Sequence, residues 1–243
     1  MKQQIKHKKI NILKMNRYTK LNTLLLALTF ILVGTLKTSA QGGAGITMVK
    51  DPKAEKILKK LSEKSKKFTS VYASFDYNMK NKDAEIDETQ AGELWFSGDK
   101  YRIELPGLVR VSNGKTLFTY LTEEDELQIS NAESDEEGAE MMQPSELLTI
   151  HEKDFKYQHA GNETIDGKSL DIIKLFPEKA DKPFHTINLY VDASNSSLYK
   201  IEIMSKDGST FTYTLKKLNP NASFAGSKLD FDRNQAGDVI DLR

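Results

Sequence analysis

Cysteine is absent from the 243 residues. That excludes disulfides, Cys-based zinc and iron–sulfur sites, a thiol nucleophile, and the cysteine-dependent N-terminal lipidation of bacterial lipoproteins. No apolar run reaches the ~20 residues that a membrane-spanning helix needs. No G-x-S-x-G turn presents a serine nucleophile. His151, His159 and His185 form no H-x-x-x-H pair, and neither a phosphate loop nor a dinucleotide fingerprint occurs. Asp232 to Gly237 starts like a calcium loop, but Ala236 takes its fifth position and Arg243 stands where the bidentate Glu belongs. The residues offer no enzyme, no metal and no cofactor.

What is present divides into a leader and a body. Eight of the 35 basic residues and none of the 35 acidic ones fall in the first forty positions. The rest of the chain therefore holds 27 basic against 35 acidic residues, a net charge of −8. An acidic body repels nucleic acid and anionic lipid surfaces. In the leader, Lys2 to Lys20 is a basic region, Leu24 to Val33 an apolar run, and Thr38-Ser39-Ala40 a small-residue site before Gln41. This is the order of a secretory signal peptide over 1–40, cleaved after Ala40, with Met15 as an alternative start. A membrane anchor is the other reading, and the apolar run is too short for it. The expected product is an exported protein of about 200 residues with one sizeable core.

Residues 41–50 are small and Gly-rich, a flexible lead-in to one domain over 51–243. Asp51-Pro52 reads as a helix N-cap with proline at the first position. Ala54, Ile57, Leu58, Leu61, Ser65 and Phe68 then recur at helical spacing. From Val71 the period becomes two. Short alternating runs separated by Gly98-Asp99, Asn113-Gly114, Asp166-Gly167 and Asp207-Gly208 predict about eleven strands. Asn81 to Thr89 reads as a charged turn, and another turn is expected near Gly161-Asn162. Asn131 to Glu140 reads as an acidic loop. Met141, Met142, Leu147, Leu148 and Ile150 surround Pro144 and predict one or two short helices. The fold class is mainly β (α+β), one antiparallel sheet or open barrel preceded by a helix. Phe75, Tyr77, Leu94, Phe96, Tyr101, Ile103, Ile187, Leu189, Ile201, Ile203, Phe211 and Tyr213 alternate so as to line one face, with either parity open, since a one-residue slip swaps the faces. That face is either an ordinary packed core or the wall of a cavity for an apolar guest.

One segment bears on that choice. Gly92-Glu93-Leu94-Trp95-Phe96, then Lys100-Tyr101-Arg102-Ile103, Pro106, and Ser112-Asn113-Gly114-Lys115 through Tyr120 resemble the core of the periplasmic lipoprotein carrier family LolA. Val71-Tyr72-Ala73-Ser74-Phe75 looks like the family's F-x-A-x-F opening, and Phe231 to Ile240 is similar to its ending. The resemblance implies an incomplete antiparallel β-barrel with a helical lid over a hydrophobic cavity, here Met141 to Ile150 over the twelve alternating residues. It implies a chaperone that receives lipoprotein acyl chains from an inner-membrane ABC-type release complex and delivers them to the outer membrane or an acceptor there, as a monomer. The lack of Cys in the mature part looks like the soluble carrier rather than the lipid-anchored receptor. In the family an Arg-Pro after the Leu-Trp strand ties the sheet to the lid; Ser97-Gly98-Asp99 stands there instead. Arg102 and Arg110 are the nearby candidates for that latch. A periplasmic lipid- or small-ligand-binding module of the same fold, and a non-carrier interaction or sensor protein, are the alternatives.

Overall fold

The computed structural model describes residues 51–132 and 155–243. The expected signal peptide, the lead-in and the lid segment with Met141, Met142, Leu147, Leu148 and Ile150 lie outside the described residues.

Helix α1 (Pro52–Ser65) begins where the sequence signals it. The Asp51 side chain accepts hydrogen bonds from the Lys53 and Ala54 amides, and Pro52, which has no amide proton to satisfy, takes the first turn. Its apolar stripe of Ala54, Leu58 and Leu61 is buried. Twelve strands follow: β1 (Val71–Asn81), β2 (Ile86–Ser97), β3 (Lys100–Leu105), β4 (Leu108–Ser112), β5 (Thr116–Leu121), β6 (Glu126–Asn131), β7 (Phe155–Ile165), β8 (Lys168–Pro177), β9 (Phe184–Asp192), β10 (Ser197–Ser205), β11 (Thr210–Pro220) and β12 (Asp238–Asp241).

They form one sheet in the order β12-β6-β5-β4-β3-β2-β1-β11-β10-β9-β8-β7. Two meanders, β1 to β6 and β7 to β11, are thus joined along β1 and β11 by a ten-pair antiparallel ladder. The edges β12 and β7 are not paired to each other, so the sheet is an incomplete barrel.

Three expectations change. Among the described residues the strand number is twelve, with the short tail strand β12 pairing with β6 in parallel. Asn81 to Thr89 is mostly strand: only Lys82 to Glu85 turns, with Glu85 at φ 56°. The chain does not turn at Gly161-Asn162. Strand β7 runs through it with a bulge between His159 and Gly161, which glycine accommodates at φ 119°.

The face bearing α1 is called the inner face. Over β7 to β11 it is filled by Leu58 and Leu61 of the helix against Tyr157, Ile173, Leu175, Ile187, Leu189 and Phe211, all buried. The outer face of β2 to β6 is buried differently. After β11 the chain turns back across it: Leu229 is 4% exposed, and Phe231 stacks on Phe118 with ring centroids 6.0 Å apart. Val111, Leu127 and Ile129 complete that second, smaller core.

Candidate functional site

Where α1 ends, the described residues leave the inner face unfilled. The helix stops at Ser65, and an apolar cavity opens between its last turn, β1 to β3, and β10 and β11. It encloses about 1040 Å³ of unoccupied space, part of it open to solvent. The cavity is a narrow cleft. Its walls are mostly carbon, with Tyr213, Lys64, Ser65, Ser196 and Ser197 supplying the polar side chains.

Strand register explains how the wall is assembled. Directly paired residues share a face. Ala73 pairs with Leu94, Leu94 with Ile103, and Ile103 with Arg110, a row along the inner face of β1 to β4. On the other side Tyr77 pairs with Tyr213, Tyr213 with Ile201, and Ile201 with Leu189. All twelve residues of the sequence pattern therefore stand on the inner face. Phe75, Leu94, Phe96, Ile103, Ile201, Ile203 and Tyr213 line the cleft. Ile187, Leu189 and Phe211 lie with α1 in the packed core, and Tyr77 packs against that cluster. Tyr101 is buried beside the cleft with Val71, Ala73, Phe96 and Leu117.

The alternation pattern missed several wall residues. Leu61 and Phe68 come from the end of the helix and the turn after it, and Val71, Ala73 and Leu105 extend the pattern at its ends. Leu218 enters through a bulge: Phe75 pairs with Leu215 but Ser74 pairs with Lys217, so Lys216 is extra and Leu218 comes opposite Ala73. Simple alternation from Leu215 would have put Lys217 inward.

The two candidate latch arginines part company. Arg102 pairs with Trp95 and Val111, one residue out of phase with Ile103, so it lies on the outer face. There its guanidinium bonds Glu104 and reaches the Asp230 carbonyl at 3.5 Å. It therefore meets the returning C-terminal segment. Lys228 joins it, 3.0 Å from Glu104 and 3.8 Å from the centre of the Trp95 ring. Burial acts to raise the Glu104 pKa, but the bonds from Lys228 and Arg102 together outweigh it and hold the carboxyl below its ordinary value. Arg110 shares the inner face with Ile103 and Thr119.

Among the described residues no three His, Asp or Glu come together to hold a metal, and no helix is long and apolar enough to cross a membrane. The arrangement is suited to sequestering an apolar chain.

Comparison with known proteins agrees with this architecture. The family model described as outer membrane lipoprotein carrier protein LolA matches residues 66–232. No curated protein matches the chain. Among solved structures, an uncharacterized conserved protein from Thermus thermophilus superposes with a TM-score of 0.52 at 12% identity, over 78% of this chain and 99% of that one. A putative outer membrane lipoprotein-sorting protein domain from Vibrio parahaemolyticus gives 0.44 at 11% identity, over 73% and 97%. The lipoprotein LppX of Mycobacterium tuberculosis gives 0.43 at 16% identity, over 71% and 98%. At 12% identity the likeness to the Thermus thermophilus protein is one of fold alone.

Proposed function

The chain belongs to the family of the outer membrane lipoprotein carrier protein LolA, and from that premise we propose that it is a periplasmic chaperone for acylated protein. The cleft between the end of α1, β1 to β3, β10 and β11 takes the acyl chains. The observation that supports this reading is the carbon-lined cleft left open beside an otherwise filled core. Moving each acyl CH₂ out of water is worth ~0.8 kcal/mol, so a long chain represents on the order of 10 kcal/mol. A lipoprotein does not leave a bilayer for water unless a surface of this kind receives it. No bond is made or broken, so the protein acts as a carrier and not as an enzyme.

In this reading the leader 1–40 directs export and is removed, and the mature protein works as a monomer between an inner-membrane ABC-type release complex and the outer membrane or an acceptor in it. Phe75, Leu94, Phe96, Ile103, Ile201, Ile203 and Tyr213 contact the acyl chains. The remaining five residues of the pattern, Tyr77, Tyr101, Ile187, Leu189 and Phe211, support that wall from the core.

Native mass spectrometry of the protein purified from its source periplasm tests the proposal. A bound acylated protein, on a carrier whose first residue is Gln41, is the expected result. A small lipid in its place identifies a binding module with another cargo. A protein that is bare in every preparation, and that takes up no acylated peptide when offered one, overturns the reading.

A further inference from the structure

The sheet has a gap, and the cleft runs into it. Strands β10 and β11 pair only from Met204 opposite Thr210 to Lys200 opposite Thr214. Beyond that point β10 continues to Ser197 along β9, and β11 continues to Pro220 along β1. The extra residue at Lys216 bends β11 away, and the two strands part. The slot between them is lined by Leu198 and Tyr199 on one side and by Leu215 to Leu218 on the other. It holds about 690 Å³ of unoccupied space, including its open part. Lys64, Phe68, Ser197, Leu198, Leu215 and Leu218 belong to the walls of both the slot and the apolar cleft, so the two are continuous.

The chemistry changes along this path. The cleft is apolar, whereas the slot carries Lys64, Lys168, Lys216 and Lys217 against one carboxylate, Asp192. Asp192 is already engaged by the Ser194 amide at 2.9 Å and the Ser194 hydroxyl at 2.6 Å. Lys216 is paired with Asp76 at 2.7 Å. The other three are not within ion-pair distance of a carboxylate among the described residues. Lys64 donates to the Asn195 carbonyl and the Ser197 hydroxyl, Lys168 lies over the Tyr199 ring, and Lys217 lies over the Tyr72 ring. Asp166, close by, accepts from the Tyr199 hydroxyl. Lys64, Lys217 and Lys168, the last near enough to Asp192 to help hold that carboxyl's pKa down, are set into a body that is acidic from residue 41 onward.

The geometry points to a lateral portal for an anionic amphiphile: an acyl chain lies in the cleft, and a phosphate or carboxylate head group emerges between β10 and β11 onto Lys64, Lys168 and Lys217. This rests on the acyl-binding reading above and adds a charge preference at the head of the chain. Ammonium groups gathered along the slot favour an anion, while the apolar cleft supplies affinity that a free anion lacks.

Equilibrium dialysis of the full mature protein with decyl phosphate, decanol and inorganic phosphate, below micelle-forming concentrations, tests it. Decyl phosphate is expected to bind about tenfold more tightly than decanol, and inorganic phosphate far more weakly than either. In Lys168→Gln/Lys217→Gln the preference for decyl phosphate should largely vanish while decanol affinity stays the same, which also shows that the cleft is intact. Lys64 is kept in this variant because it ties the helix to the β9–β10 turn. Equal affinities of the wild type for decyl phosphate and decanol overturn the portal and leave acyl binding standing. Binding of neither amphiphile overturns acyl binding itself. Inorganic phosphate binding as tightly as decyl phosphate makes the slot a free-anion site and also overturns the portal. If the double variant loses decanol binding, the single variants are read instead, and an unchanged preference in both overturns the inference.

Discussion

The ring of Phe75 lies across Gly92. The two residues pair directly between β1 and β2, and a methyl group placed on Gly92 would fall 2.6 Å from Cε2 and Cζ of Phe75 and 2.7 Å from Cδ2 of Leu105. The glycine is thus the floor on which an aromatic wall residue of the cleft rests, and Tyr213 meets the same ring at 5.8 Å. Two pieces of the sequence pattern, the Val71 to Phe75 run and the Gly92 to Phe96 run, are in this way one structural feature. A side chain on β2 would lift Phe75 into the space left for an acyl chain.

Gly92→Ala should therefore destabilise the protein by about 1–3 kcal/mol, the usual cost of overpacking, although alanine suits a strand better than glycine does. Adding Phe75→Leu should recover part of that loss, because the smaller side chain leaves room for the new methyl group. Urea unfolding of the two single variants and the double variant measures the coupling. Strict additivity would mean that the contact does not matter.

The inner and outer faces should differ in their effect on cargo. Ile103 lines the cleft, whereas Lys100 is exposed and out of phase with it at the start of the same strand. Ile103→Glu buries a charge where an acyl chain would lie and should abolish uptake of an acylated peptide. Lys100→Glu should change uptake little. Equal losses in the two variants, both shown by circular dichroism to be folded, would argue against the assigned wall.

Much of this site was legible because its physics is local. Period-two alternation sorted the wall residues from Phe75 to Tyr213 onto one face, and Asp51-Pro52 marked the start of the helix. Features that depend on distant partners were not legible. The bulge at Lys216 brings Leu218 inward, and nothing in Leu215-Lys216-Lys217-Leu218 itself announces it. Arg102 had two faces open to it, and only the register with Trp95 places it outside. The burial of Val111, Phe118 and Ile129 comes from a tail more than a hundred residues later in the chain, so their outward apolar side chains had no visible partner in the sequence. Gly161 carried a turn signal that the ladder between β7 and β8 turned into a bulge.

The returning tail should respond to acid. Glu104, between Lys228 and Arg102, has its pKa held below the ordinary glutamate value of 4.5. The folded form then binds a proton less readily than the unfolded chain does. The stabilisation is present above about 4.5 and is lost as pH falls through the lower folded value. Trp95 is the sole tryptophan and lies under Lys228, so its fluorescence reports the contact directly. Emission should shift in an acid titration before the far-ultraviolet dichroism changes. Glu104→Gln should show the shifted emission already at neutral pH and no titration of its own. An identical acid transition in both proteins would assign the change to another group.

Asp51 joins the helix to the sheet edge with one carboxylate. Its Oδ1 accepts from the Lys53 amide at 2.8 Å and caps α1, while its Oδ2 accepts from the His159 amide at 2.9 Å on β7. Its own amide donates to the Tyr157 carbonyl at 3.2 Å, so the edge of β7 is partly closed by the helix N-terminus. The bonds from His159 and Lys53 hold its pKa below the ordinary aspartate value. Asparagine has one oxygen and can serve either the helix or the edge, but not both. Asp51→Asn should therefore lower the thermal midpoint and leave a smaller deficit than Asp51→Ala. Amide exchange at His159 should quicken in Asp51→Ala, because an edge amide loses its acceptor. Asp87→Ala is the control, since Asp87 pairs with Lys80 on an exposed hairpin and such pairs contribute little. If Asp51→Ala is no less stable than Asp87→Ala, and His159 exchange is unchanged, the helix is held to the sheet by its apolar stripe alone.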